Sequence, residues 1–290
     1  MRKISIYALL LTFIILQGCA TDNESNSAEE VNGQASQEEM ESNQNSDLEE
    51  QDGEEEDQAG NVSEEEETQS AADSNAEESK EVEKEYQINE STWTVDPITD
   101  ADPKVALLTI DDAPDANALK IAQTLKKLDV SAIFFVNGHL VNSPEKEEVI
   151  KEIYDLGFAI GNHTYSHSNL KDLTEEEQKE EILKVNDMVE DITGERPRFF
   201  RAPFGSNTDY SKGIAAEENM TIMNWTYGYD WEKEYQTREA IADIMVNTPY
   251  LSNGANLLMH DRTWTMEAME DIVKGLQQKG YSIVNPDAIK

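Results

Sequence analysis

The chain is poor in cysteine, because only one of its 290 residues, Cys19, carries a thiol. A single cysteine excludes an internal disulfide, so the fold must rest on its hydrophobic core. Basic residues are also scarce: 23 Lys and Arg face 61 Asp and Glu, which gives a formal net charge of −38. Nucleic acids need Lys and Arg to neutralise their phosphates, so this charge argues against a nucleic-acid partner.

No apolar run reaches the roughly 20 residues that a membrane-spanning helix needs. Residues 4–16 form a mostly apolar run of thirteen that follows Arg2 and Lys3, a pattern typical of an export signal. The run ends in Leu16-Gln17-Gly18-Cys19, which resembles the signal of a bacterial lipoprotein. We therefore expect residues 1–18 to be a signal peptide and a lipid on Cys19 to anchor the protein to the cell membrane, facing the cell wall. The alternative is an ordinary export signal with an incidental cysteine.

Composition divides the remaining chain in two. Residues 20–85 hold 25 acids against Lys80 and Lys84, a balance of −23, and consist otherwise mostly of small polar residues. Such a segment buries too little apolar surface to offset the entropy of ordering, so residues 19–85 are expected to form a disordered tether. Residues 86–290 are richer in apolar residues, carry a balance of −17, and are long enough to bury one sizeable core.

In this second part, short apolar runs alternate with segments of helical period, which predicts an α/β fold. The predicted strands are 105–110, 132–136, 158–160, 199–202, 221–225, 257–259 and 281–284, and the predicted helices are 116–128, 149–156, 174–192, 211–219, 237–247 and 266–279. Thr174 and Glu177 predict a capping box at the start of the third helix. Seven strand–helix steps predict an irregular (β/α)7 barrel, with residues 86–104 covering its lower end.

Five polar motifs follow apolar strand-like runs. They are Asp111-Asp112, the segment 163–167 (HTYSH), the segment 201–205 (RAPFG), Asp230-Trp231 and His260-Asp261. Loops that follow the strands of a parallel barrel share one face, so these motifs should converge there. That convergence indicates an enzyme.

Two histidines four residues apart and an aspartate from another strand end indicate a metal site. Asp112, His163 and His167 supply two neutral nitrogens and one hard oxygen, which leaves coordination positions open, as catalytic zinc requires. A His-x-x-x-His pair can also be a surface feature, and a two-His, one-carboxylate set can hold iron in an oxygenase. The chain has no His-x-Asp or His-x-Glu, which ranks the iron site below a hydrolytic one.

The other motif residues supply candidates for acid–base work. Asp111 is the candidate base, and Arg201 can keep it ionised and oriented. Asp230 can hold His260 as imidazolium, which makes His260 the candidate acid. The structural alternatives are a plain turn at Asp111-Asp112, a structural ion pair for Arg201 and a core histidine at position 260.

Taken together, the motifs resemble those of the polysaccharide deacetylase family, the NodB-homology or carbohydrate esterase 4 group. The resemblance rests on the segments 109–112 (TIDD), 163–167 (HTYSH), 201–205 (RAPFG), 230–231 (DW) and 258–260 (LMH), and also on 131–138 (SAIFFVNG). It implies a distorted (β/α)7 barrel that hydrolyses N-acetyl groups from sugars with a divalent metal, usually zinc, with Co²⁺, Ni²⁺ or Mn²⁺ as alternatives. It also implies the base, ligand, orienting and acid roles given above.

The resemblance adds a substrate-binding set as well. Trp231 and Leu258 match the walls of an acetyl-methyl pocket, while Pro203, Phe204 and Gly205 match a segment that stabilises the oxyanion. Three positions depart from the family pattern. Ile110 and Ala113 stand where Phe and Gly are usual, and Tyr227 stands where many members have a further Asp.

An exported, lipid-anchored member of this family is expected to remove acetyl groups from N-acetylglucosamine in peptidoglycan, acting as a monomer. Chitooligosaccharide, exopolysaccharide and acetylated xylan are the alternative substrates. The rival interpretations are a catalytically silent glycan-binding lipoprotein and a metal-scavenging lipoprotein, although a scavenger would need a closed metal site.

Overall fold

The computed structural model describes residues 82–290. The predicted signal peptide, Cys19 and the tether up to residue 81 lie outside the described residues. The strands are β1 (Tyr86–Ile88), β2 (Val95–Pro97), β3 (Val105–Ala113), β4 (Ile133–Val136), β5 (Ala159–Asn162), β6 (Phe199–Phe200), β7 (Thr221–Ile222), β8 (Tyr227–Gly228), β9 (Ala255–His260) and β10 (Ser282–Ile283). The helices are α1 (Ala118–Lys127), α2 (Pro144–Asp155), α3 (Glu175–Thr193), α4 (Asp209–Glu217), α5 (Arg238–Asn247) and α6 (Thr263–Gln278).

Eight strands form one parallel sheet curled into part of a barrel, which confirms the predicted irregular (β/α)7 fold. The order is β7-β6-β5-β4-β3-β9-β8, and β10 pairs with the lower end of β3 through Ser282 and Val105. Among the pairings within residues 82–290, no ladder joins β7 to β8. The barrel is therefore open between these two strands.

The central strand β3 explains how core and site are divided. Its alternate residues Ala106, Leu108 and Ile110 are buried against the outer helices, together with Leu257 and Met259 of β9. The residues between them face the other way, since side chains alternate along a strand. Val105 and Leu107 join a second core at the lower end of the barrel, and Thr109 and Asp111 follow higher up. The interior of the barrel thus changes from apolar to polar toward its carboxyl end.

Local sequence signals account for the long helix that covers β5. The Thr174 side chain accepts a hydrogen bond from the amide of Glu177, whose carboxylate accepts one from the amide of Thr174, so the predicted capping box is confirmed. The helix ends at Gly194, which adopts a left-handed backbone with φ 85°. None of the helices within residues 82–290 combines the length and hydropathy that crossing a bilayer requires.

Two elements were absent from the sequence prediction. Residues 86–104 contain an antiparallel hairpin, β1 with β2, whose residues Tyr86 and Val95 pack into the lower core. The second element is β8, which is only two residues long and pairs with β9. Contacts with the domain also begin slightly before residue 86, because the amide of Glu85 donates to the carbonyl of Ala288 over 2.9 Å.

Candidate active site

An ion pair inside the barrel lies at the centre of the site. Asp111 and Arg201 are 2% and 0% exposed, and Nη1 of Arg201 donates to Oδ1 of Asp111 over 2.7 Å. Burial alone would raise the pKa of Asp111, but the nearby charges of Arg201, His163 and His260 hold it below its ordinary value. The Asp111 carboxylate is therefore ionised at neutral pH and available as a proton acceptor.

The Arg201 side chain makes five hydrogen bonds, as many as its guanidinium has N–H donors. Besides Asp111, its donors reach Thr109 Oγ1 at 2.7 Å, the carbonyls of Asn224 and Met223 at 2.9 and 3.3 Å, and Asn256 Oδ1 at 3.3 Å. The guanidinium carbon lies 4.4 Å from the centre of the Phe135 ring. These contacts join β3, β9 and the segment after β7, so Arg201 fills the interior where the sheet is open and fixes Asp111 at the same time.

Asp112, His163 and His167 lie beside this ion pair. One donor atom from each of the three lies within 4.8 Å of the others, a group that can hold a metal ion. Oδ1 of Asp112 is 3.7 Å from Nε2 of His167, and Nε2 of His163 is 3.4 Å from Oδ2 of Asp111. The free nitrogens of both histidines thus face the carboxylates. Two imidazoles and a carboxylate suit a zinc-type divalent ion with open positions.

The surroundings of the two histidines fit ligand roles. Nδ1 of His163 donates to the carbonyl of Arg201 over 2.7 Å, which fixes the proton on Nδ1 and leaves the Nε2 lone pair free. Burial and the neighbouring His163 lower the pKa of His167. The lowered pKa favours a neutral His167 ring, which can offer a nitrogen to a cation, and the hydrogen bond at Nδ1 leaves Nε2 as the ligand atom of His163.

A carboxylate–histidine pair lies next to Asp111, because His260 is the register partner of Asp111 on β9. Nδ1 of His260 donates to Oδ1 of Asp230 over 2.7 Å, and the amide of His260 donates to the other oxygen over 2.6 Å. Burial alone would lower the pKa of His260, but the hydrogen bond and charge of Asp230, with Asp111 and Asp112, raise it above its ordinary value. This arrangement favours the imidazolium and leaves its Nε2 proton for donation.

Apolar side chains lie beside His167 and His260. Phe204 is 66% exposed with its ring centre 5.0 Å from that of His167, and Trp231 is 44% exposed with its ring centre 5.5 Å from that of His260. Leu258 is buried two residues before His260, on the same face of β9. Gly228 permits this packing, because a Cβ there would lie 2.4 Å from the carbonyl of Leu258 and 2.8 Å from the Trp231 ring.

The residues of the segment Pro203–Gly205 form a single 3-10 turn after β6. Pro203 is buried at the start of the turn, and Gly205 has φ 65°. A Cβ on Gly205 would come within 3.1 Å of the Asn224 side chain, so the glycine lets the turn approach its neighbour. The turn thereby presents the Phe204 ring beside His167.

Left-handed backbone is concentrated at this site. Asp112, Thr164, His167 and Phe204 have φ values of 61°, 68°, 59° and 58°. For residues other than glycine this conformation costs roughly 1 kcal/mol or more each. The surrounding contacts therefore hold these side chains in positions that the local sequence would not adopt by itself.

Some residues of the site escaped sequence reasoning. Thr265 Oγ1 donates to Asp230 over 2.7 Å, and Trp264 Nε1 donates to the Asp230 carbonyl over 2.8 Å. Asp261 belongs to a predicted motif but had no role assigned to it, and its carboxylate accepts hydrogen bonds from the amides of Asn117 and Ala118 at the start of α1. Trp264 and Thr265 lie in the first turn of α6, and the only signal for them was their closeness to His260 in sequence. Arg262 was missed as well, although it contacts Asp112 at 3.2 Å.

At the three departures from the family pattern, the side chains pack in the outer hydrophobic core and not among the reacting groups. Ile110 is buried against the outer helices, and Ala113 is also fully buried. The Tyr227 hydroxyl donates to the carbonyl of Met245 in α5 over 2.8 Å, so this side chain points to the outer layer and not toward Asp230. His139, the remaining one of the four histidines of the chain, is exposed, and its Nδ1 donates to the carbonyl of Tyr165.

The sequence is similar to known polysaccharide deacetylases. A family model described as polysaccharide deacetylase matches residues 98–223. A peptidoglycan-N-acetylglucosamine deacetylase of Bacillus cereus is 30% identical over 188 residues, which cover 61% of this chain and 67% of that relative. The chain belongs to the polysaccharide deacetylase family. Members of this family generally depend on a metal, in keeping with the group formed by Asp112, His163 and His167.

Two further relatives differ in their named substrates. A second Bacillus cereus peptidoglycan-N-acetylglucosamine deacetylase is 32% identical over 61% of this chain, and Bacillus subtilis PdaC, a peptidoglycan-N-acetylmuramic acid deacetylase, is 33% identical over 66%. The chain spans only 65% and 39% of the lengths of these two relatives.

Solved structures agree on the fold. The PdaC structure aligns with a TM-score of 0.57 at 31% identity, covering 63% of this chain and 89% of that one. A carbohydrate esterase 4 pseudoenzyme from Bacillus anthracis aligns with a TM-score of 0.58 at 32% identity, covering 64% and 66%. The same fold therefore occurs in a pseudoenzyme, and turnover depends on the residues of the site.

Proposed function

We propose that the domain is a metal-dependent hydrolase that removes N-acetyl groups from cell-envelope glycan, with N-acetylglucosamine residues of peptidoglycan as its substrate. The observation that carries the proposal is the grouping of two acid–base units with one metal-binding group. Asp111 and His260 are register partners on the neighbouring strands β3 and β9, and they are held by Arg201 and Asp230 respectively. Asp112, His163 and His167 lie beside Asp111.

Asp112, His163 and His167 would hold the divalent ion, most simply Zn²⁺. When bound, such an ion supplies Lewis-acid polarisation of the acetamide carbonyl and makes a nearby water more acidic. The donor set fits this role, because it leaves coordination positions open for water and substrate.

The protein's own groups divide the proton transfers between them. Arg201 holds Oδ1 of Asp111, so Oδ2 is the oxygen free to take a proton from the attacking water. His260 is oriented through Nδ1 by Asp230, so its Nε2 can deliver a proton to the departing amine. The amide C–N bond breaks, and the products are acetate and a glucosamine-containing glycan.

The aromatic and apolar neighbours fit a sugar substrate. Trp231 and Leu258 lie beside His260, where they can surround the acetyl methyl group and keep water away. Phe204 offers an exposed ring beside His167 on which a pyranose can rest, and the backbone of its turn is the candidate oxyanion-binding segment.

Location in the cell envelope supports peptidoglycan as the substrate. The sequence before residue 82 supplies the export signal, the lipid site at Cys19 and the acidic tether, which together would place the domain outside the membrane and facing the wall. Peptidoglycan deacetylases among the relatives support the same substrate class.

Acetate release from a panel of purified glycans tests the proposal. The zinc-loaded protein and its Asp111→Asn variant should each be incubated with one glycan at a time. The glycans are peptidoglycan, chitooligosaccharide, exopolysaccharide and acetylated xylan. Release from peptidoglycan that disappears in the variant is the expected result. The likeness to a pseudoenzyme makes a silent glycan-binding protein the second candidate. Glycan binding without acetate release from any substrate would favour that candidate.

A further inference from the structure

Arg262 contacts the candidate metal group from a position to which neither the motifs nor the proposed mechanism gives a role. It follows His260 by two residues and precedes the first residue of α6. Its Nη2 donates to Oδ2 of Asp112 over 3.2 Å, and its Nη1 lies 3.8 Å from Oδ2 of Asp115. The end of β9 is thus tied to the loop that follows β3.

The two oxygens of Asp112 have separate neighbours. Oδ1 lies 3.7 Å from Nε2 of His167, while Oδ2 is the oxygen that faces Arg262. The backbone at Asp112 is left-handed, with φ 61°, in the stretch where the register between β3 and β4 shifts. Because this backbone is irregular, the direction of the carboxylate depends on the contacts that its side chain makes.

We propose that Arg262 is a positioning residue that holds the Asp112 carboxylate with Oδ1 turned toward the histidines and Oδ2 removed from metal coordination. The inference rests on the metal site of the proposed function. Arg262 acts on the metal only through Asp112. Partners that hydrogen-bond a metal's ligands typically change metal affinity or activity 10–100-fold when they are removed.

A guanidinium near a divalent ion also repels it, and this repulsion by itself lowers the affinity for the metal. The Arg262 side chain is 39% exposed, and the carboxylate of Asp115 lies on its other side. Solvent and this neighbouring negative charge both weaken the repulsion. Orientation of Asp112 is therefore the larger effect, and loss of Arg262 lowers metal affinity.

The test is the zinc dissociation constant of the full chain, measured by competition with a chromophoric chelator in the absence of glycan. Arg262→Met, which keeps much of the length but loses the donors and the charge, should weaken zinc binding by about tenfold or more. Arg262→Lys keeps a charged donor and should restore affinity to within about threefold of the wild type. Arg238→Met is the matched control, because it removes a comparable arginine from an exposed ion pair with Asp271. It should leave zinc binding unchanged.

Zinc binding by Arg262→Met that is as tight as in the wild type, or tighter, would overturn the inference. Thermal unfolding of the zinc-free variants checks that they fold. Should Arg262→Met fail to fold, Arg262→Gln provides the same comparison, because its shorter neutral side chain cannot span the distance to Asp112. Retained affinity in that variant overturns the inference equally.

Turnover separates this inference from the proposed function. A positioning role predicts that Arg262→Met regains acetate release to within about fivefold of the wild type at saturating zinc. A large loss that persists at saturating zinc would place Arg262 on the substrate and overturn the role assigned here. No acetate release by the wild type would remove the deacetylase proposal and leave the comparison of zinc affinities intact.

Discussion

Arg201 and Asp111 form an ion pair of 2.7 Å in which the two side chains are 0% and 3% exposed. An ion pair in this position is costly to desolvate, so its presence is weak evidence for a role in stability alone. Here Arg201 closes the open side of the barrel interior through five further contacts and fixes the oxygen that Asp111 presents. The structural alternative considered for Arg201, an ion pair that supports the fold, and its orienting role are therefore compatible.

Replacement of Arg201 by methionine should be strongly destabilising. The variant leaves the Asp111 carboxylate buried without its cation, which typically costs about 3–5 kcal/mol. The free energy of unfolding, measured by urea denaturation of the metal-free protein, checks this value.

The double variant Arg201→Met, Asp111→Asn is the matched control, because it also removes the unpaired charge. It should recover part of the lost stability. A double variant less stable than Arg201→Met would contradict the view that the stranded carboxylate causes the loss.

Asp111 and Asp112 are adjacent and chemically alike, yet they should respond differently to substitution. Asp111→Asn keeps the hydrogen bond from Arg201 but cannot accept a proton, so it should retain zinc and lose at least ~100-fold in turnover. Asp112→Ala should lose zinc and turnover together. Metal content by elemental analysis and acetate release at saturating zinc measure the two effects. Near-normal turnover by Asp111→Asn would mean that another group activates the water.

Much of the fold followed from the sequence, since periodicity and capping are local signals. The apolar run 105–110 and the capping box at Thr174 placed a strand and a helix correctly, although β3 continues to Ala113. The two-residue strand β8 and the hairpin of β1 and β2 were missed, because such short strands owe their existence to pairing with partners distant in sequence.

The candidate site was predictable to a similar degree. The rule that the ends of parallel strands converge brought Asp111, His163 and His260 together, as the structure does. Arg262 and Thr265 could not be identified in this way. Their contacts depend on how α6 leaves β9, a geometry that no short motif records.

The assignment of His163 and His167 as metal ligands can be tested by substitution, with a histidine outside the metal group as the control. His163→Ala and His167→Ala should each abolish retention of about one zinc ion by the purified domain from about residue 86, because two remaining ligands bind zinc poorly. His139→Ala removes an exposed histidine that is absent from the group and should keep the full metal content. Elemental analysis after gel filtration gives the stoichiometry. Full zinc content in either ligand variant would rule out this ligand set.

The last prediction concerns the pH dependence of turnover. Asp230 raises the pKa of His260 against the effect of burial, and turnover needs His260 in its protonated form. Activity should therefore be present below this raised pKa and fall as the pH rises through it. Asp230→Asn removes the main cause of the increase, so burial then lowers the pKa of His260 and the alkaline loss of activity moves to lower pH.

Tyr227→Phe is the control for that experiment, because Tyr227 occupies the position where many relatives have an acid but bonds outward to Met245. Its variant loses one buried hydrogen bond, worth about 1 kcal/mol of stability, and should keep the wild-type pH profile. The profile of kcat/KM is measured for all three proteins at saturating zinc, and Asp230→Asn should also lose at least ~10-fold at pH 7. An unchanged alkaline limb in Asp230→Asn would show that His260 is not the group whose protonation controls turnover, while a shifted limb in Tyr227→Phe would show that the outer layer reaches the site after all.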